Sequence, residues 1–192
     1  MAGNEPRFSR LSPDRLTEAQ KPVYERLASI GRGSLGGPFD IILRSPGMAN
    51  GMISSYEHFR FHGRLDPRLK EFAILIVARE WTAQFEWYAH KPQAEKAGLS
   101  GAIIAELRLG KRPAALQADE AIVYDLVTSL LRDHAVGDAI FAKALGLLDE
   151  ERLVDLIALV GEYMKVALIL NVGRVGVPEG NELPLPPLGA KP

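Results

Sequence analysis

The chain has 192 residues, 47% of them hydrophobic and 24% charged, ordinary values for a globular protein that buries one core. Its formal net charge is −1 with both signs interspersed. No basic stripe marks a nucleic-acid binder, and no run approaches the roughly 20 apolar residues that span a bilayer. It contains no cysteine, which removes thiol chemistry, disulfides, zinc–thiolate sites and iron–sulfur clusters.

Met1 to Pro6 lacks the apolar segment of a signal peptide, so a cytoplasmic location is expected. No low-complexity insert or fixed repeat is visible, and Pro and Gly punctuate a series of helices. Thr17-Glu18-Ala19-Gln20 fits a capping box for a helix reaching Ile30. Gly31 to Pro38 is glycine-rich but lacks the Gly-Lys-Ser/Thr ending of a phosphate loop, and reads as a connector. Pro38 to Leu43 is a candidate short strand without an obvious partner. Ser45-Pro46 opens a helix that reaches His62 and stops at Gly63.

Asp66-Pro67 is the clearest helix start, a capping acid followed by Pro at the first position. Leu69, Phe72, Ala73, Ile76 and Val77 give it an apolar stripe, and Ile74, Leu75 and Ala78 extend that stripe nearly all round, which predicts a central buried helix. A break near Trp81-Thr82 leads to a second helix closed by Gly98, bent at Pro92. Further helices start at Ser100, Asp119, Asp138 and Glu150, the last reaching Asn171. The tail, Val177 to Pro192, is rich in proline, with Pro178, Pro184, Pro186 and Pro187 before the final Pro192, and is expected to be extended, lying along a neighbouring subunit. The fold class expected is all-α, a single-domain bundle of six to eight helices. Its parts are an N-terminal helical extension (1–65), a core (66–176) and the proline-rich tail (177–192).

Glu86 and His90 stand four apart, on one face of one helix. A carboxylate beside an imidazole is the equipment for acid–base work near neutral pH. A surface pair that merely stabilises the helix is the plainer alternative. Glu71 sits fifteen residues before Glu86. If the chain turns back near Thr82, Glu71 lies about 16 Å from the turn and His90 about 12 Å, roughly level on neighbouring helices. An unpaired acid in the apolar stretch Leu69 to Val77 would be costly, although a first-turn acid favoured by the helix dipole is an equal reading. His58 and His62 are another four-spaced pair, but no His-Glu-x-x-His pattern is present and no metal site is expected. Ser54, Ser55, Ser100 and Ser129 lie in no nucleophile elbow, so a serine hydrolase ranks last.

Residues 66–99, with Asp-Pro-Arg-Leu-Lys-Glu-Phe-Ala-Ile-Leu, Glu-Trp-Tyr-Ala-His and Ala-Gly-Leu, resemble the core of the carboxymuconolactone decarboxylase / alkylhydroperoxidase D superfamily. The resemblance extends through Asp119–Leu131 and Leu153–Asn171. The family's redox branch has Glu, eleven residues, then Cys-x-x-Cys-x-x-x-His. Here the Glu is Glu71 and the His is His90, while Ala83 and Glu86 stand at the cysteine positions. Without thiols the peroxidase route is closed, and the cysteine-free decarboxylase branch is the nearer relative. That branch implies a cofactor-independent lyase acting on a small lactone or keto acid in aromatic-compound degradation. His90 is then the general acid, held by Glu86 or Glu71. Arg79 is a candidate for the substrate carboxylate, as is Arg68 on the same helix, and Trp87 and Tyr88 are candidate substrate contacts. No cofactor is required, because the lactone itself accepts the electrons. A homo-oligomer (dimer, trimer or hexamer) is implied, and the apolar last helix agrees. The rival reading is a catalytically silent helical protein that binds a ligand or serves assembly. In an enzyme, His90 should border a cavity with a carboxylate at hydrogen-bond distance.

Overall fold

The structure, a computed structural model, describes residues 5–32 and 35–188, with Arg32 through its backbone alone. The expectations placed on residues 1–4, 33–34 and 189–192 lie outside it. All regular structure among the described residues is helical. A short 3₁₀ turn, Pro13–Arg15, precedes α1 (Lys21–Leu27), α2 (Pro38–Ile42), α3 (Pro46–Glu57), α4 (Pro67–Glu80), α5 (Gln84–Lys96), α6 (Gly101–Arg108), α7 (Ala118–Arg132) and α8 (Asp138–Gly173). No described helix is long and apolar enough to cross a membrane.

α4 is the central element, packed on α5, α7 and α8. Every residue from Phe72 to Arg79 is buried, as the nearly all-round apolar pattern predicts. The Asp66 carboxylate accepts from the amides of Arg68 and Leu69 at 2.9 and 3.2 Å, tying down two orphan donors of the first turn. At the other end Thr82 adopts φ +47. Its amide donates to the Arg79 carbonyl (3.0 Å) and that of Ala83 to the Ala78 carbonyl (2.8 Å). This double closure satisfies the last carbonyls and reverses the chain, so α5 runs back antiparallel beside α4. Gly98 (φ +93) closes α5 in the same way, with the Leu99 amide on the Ala94 carbonyl.

Three boundaries differ from expectation. The stretch at Pro38 is a one-turn helix, not a strand: Pro38 opens it, and the Leu43 amide bonds back to the Phe39 carbonyl. The Gln20 side chain accepts from the Thr17 amide (2.9 Å), as in a capping box, yet the α-helix proper begins only at Lys21. The helix expected to start at Asp119 starts at Ala118, boxed by Gln117 and Glu120. The last two expected helices follow one another in α8, divided at Asp149 (φ +59), whose carboxylate accepts from the Arg152 amide at 3.0 Å.

The buried residues form two apolar clusters. The larger joins α4 to α7 and the middle of α8. The smaller gathers Leu16, Val23, Leu27, Phe39, Met52 and Ile53 from the N-terminal segments onto Val166 and Leu170 of α8. The described part of the proline-rich tail is strapped to its own chain. Leu185 is buried in the larger cluster, and its backbone N–H and C=O both pair with the side-chain amide of Gln84 (2.9 and 2.8 Å).

Candidate functional site

Helical spacing places Phe85, Glu86, Ala89, His90 and Gln93 along one face of α5, where they line a cavity of about 300 Å³. α4 contributes Lys70 and Glu71, and α8 contributes Glu162, Tyr163, Val166 and Leu170. The facing wall comes from the N-terminal third: Leu35, Gly36, Pro38 and Phe39, then Met52, Tyr56, Phe59 and Arg60. The cavity therefore lies on the seam between the two apolar clusters.

That wall is held by particular contacts. The last turn of α3 widens into a π-helical turn over His58–His62, closed by the Gly63 amide on the His58 carbonyl (2.7 Å). The Lys70 ammonium donates to the Phe59 carbonyl (3.1 Å), joining this turn to α4. His58 Nε2 meets the Asp155 carboxylate at 2.8 Å, joining it to α8. At Gly37, φ is +59 and a Cβ would fall 2.5 Å from the Phe85 ring, so only glycine lets the loop pass this close to α5. The loop read from sequence as a connector is part of the cavity.

His90 Nδ1 donates to Glu71 Oε2 at 2.7 Å across the α4–α5 interface. Both side chains are largely buried. The Tyr163 ring stands edge-on to the imidazole, centroids 5.0 Å apart at 88°. With Nδ1 engaged and the ring braced on one side, the tautomer and orientation are set, and Nε2 is left for the cavity. Glu71 is thus neither a solvated first-turn acid nor unpaired.

Glu86 lies on the same face but does not bond His90. It is 2% exposed, and neither carboxylate oxygen has a hydrogen-bond partner among the described residues. Burial pushes the proton affinity of its carboxyl well above the usual carboxylate range. Glu162 is paired with Lys165 through Oε2 at 2.8 Å, while its Oε1 is buried without a hydrogen-bond partner among the described residues.

The remaining sequence candidates are placed elsewhere. The Arg79 guanidinium is buried, donating to the carbonyls of Arg108 (3.2 Å) and Pro186 (2.8 Å) and to Thr82 Oγ1 (3.3 Å); it holds the tail. Arg68 forms ion pairs with Asp119 (2.5 Å) and Glu120. Trp87 is fully buried in the larger cluster and Tyr88 is exposed. One and two positions beyond Glu86, at about 100° each, they are turned off the cavity face. The cations that do line the cavity are Arg60 and Lys70, neither in an ion pair among the described residues. Arg60 stacks on Tyr56, its guanidinium carbon 5.8 Å from the ring centre. Sequence reading passed over both; the four-residue spacing from Tyr56 to Arg60 was the available signal.

No family model matches the chain, and no curated protein matches it.

Proposed function

We propose that the chain is a carboxymuconolactone decarboxylase-like, cofactor-independent lyase that decarboxylates or isomerises a small lactone or keto acid, with His90 as general acid. The observation that carries this reading is the Glu71–His90 pair at 2.7 Å on the wall of a cavity of about 300 Å³. It is the arrangement expected of an enzyme, and it supports that reading over a silent helical protein. In decarboxylation the bond from carbon to carboxylate breaks and carbon dioxide leaves. The electron pair passes into the conjugated carbonyl, giving an enolate, and His90 Nε2–H then delivers a proton to carbon. Glu71 steadies the imidazolium, and solvent restores the proton afterwards. Arg60 and Lys70 meet the substrate carboxylate in place of Arg79. The substrate itself is the electron sink, so these steps draw on no cofactor.

A panel of unsaturated lactones and oxo acids, read by release of carbon dioxide, tests the proposal. Turnover of at least one member is expected. Ligands that bind in the cavity without any turnover would instead favour the binding-protein reading.

A further inference from the structure

Glu86 takes no part in the proton delivery above, yet it occupies the cavity wall one helical turn from His90. A buried carboxyl with both oxygens unpartnered is a standing cost, which an aliphatic side chain of the same size would avoid. Its neighbours do not relieve it. Glu71 and His90 satisfy each other, and Glu162, held to Lys165 by Oε2, is an acceptor that makes no hydrogen bond to Glu86. Beside its charged groups the cavity presents apolar and aromatic side chains, Phe39, Met52, Phe59, Phe85 and Tyr163. Burial favours the protonated form of this carboxyl, whose O–H is a donor with no partner among the described residues and selects for an oxygen that only accepts.

We propose that the cavity takes a compact, flat ring compound whose carbonyl oxygen is received by the Glu86 carboxyl. The O–H donates to the carbonyl, and that hydrogen bond strengthens as electrons move onto the oxygen during enolate formation. Glu86 thus determines specificity as well as stabilising the developing charge. The aromatic side chains of the N-terminal wall, Phe39 and Phe59, supply a face for the ring. The proposal rests on the cavity being the functional site. It does not depend on which group delivers the proton.

The test is calorimetric titration of the full chain with acetophenone and with ethylbenzene, near-isosteres that differ in the carbonyl. The wild type is expected to bind acetophenone about tenfold or more tightly, because ethylbenzene leaves the buried donor unpaired. Glu86→Leu should lose that preference and bind ethylbenzene at least as well as the wild type does. Glu86→Gln, which keeps an N–H donor, should retain it. No binding of either compound to the wild type, or a preference that survives in Glu86→Leu, would overturn the proposal. So would a Gln variant that loses the preference as fully as the Leu variant. His90 is intact in all three proteins and no turnover is read, so failure here leaves proton delivery by His90 standing.

Discussion

At the scale of single residues, two carboxylates on neighbouring helices are set to different tasks by their surroundings. Glu71 bonds an imidazole nitrogen at the cavity edge, whereas Glu86 is buried in the cavity wall without a partner among the described residues. The second has a thermodynamic signature. Its folded-state proton affinity is raised above the ordinary glutamate value of 4.5. Between that value and the raised one, the native state holds a proton that the unfolded chain has lost. This contribution is therefore complete below about pH 4.5 and is lost as pH rises, by up to about 1.4 kcal/mol per unit. In urea unfolding, Glu86→Gln should gain stability relative to wild type as pH rises above about 4.5, until the raised folded-state value is passed. A difference that does not vary with pH would mean that Glu86 is ionised in the native state. The Glu71–His90 pairing was legible in the sequence, because their spacing about the Thr82 reversal makes them level. The roles of Arg79, Trp87 and Tyr88 were not. Residue type does not say which way a side chain faces, and on α5 a shift of one position turns it by about 100°.

At the scale of elements, the helices that punctuation announced are the ones that frame the site. Asp66-Pro67 and Gly98 mark the outer ends of the α4–α5 pair as read, since capping chemistry is local. The short helix at Pro38 was missed because a run of a few apolar residues has no resolvable period. The glycine-rich loop before it carried no local sign of its task either. Its approach to Phe85 is a tertiary fact that becomes visible only once α5 is in place. Gly37→Ala puts a Cβ against the Phe85 ring at a positive φ. It should lower stability by about 1–3 kcal/mol in urea unfolding. It should also loosen the loop from α5, read as faster hydrogen exchange at Leu35 and Gly36. An unchanged midpoint would show that the loop stands clear of α5.

At the scale of the whole molecule, the chain folds its two ends onto the core for different purposes. The N-terminal third closes the cavity, and the tail clamps the far side of α4 and α5 through backbone atoms. A tail that binds by its carbonyls leaves no pattern in the sequence beyond its prolines, which is why it read as free to reach a neighbour. Removing residues 183–192 strips Leu185 from the core and takes the Pro186 carbonyl from the buried Arg79. The cost should be at least about 2 kcal/mol. Because the contacts lie within one chain, the loss should not vary with protein concentration; a loss that shrinks as the protein is concentrated would point to a tail seated on a neighbour. The most direct test of the account is the turnover of His90→Ala against wild type, read as carbon dioxide release on the best substrate of the lactone and oxo-acid panel, with circular dichroism confirming the fold. The account predicts a fall of roughly 10²–10⁴-fold, and a variant that turns over at the wild-type rate would contradict it.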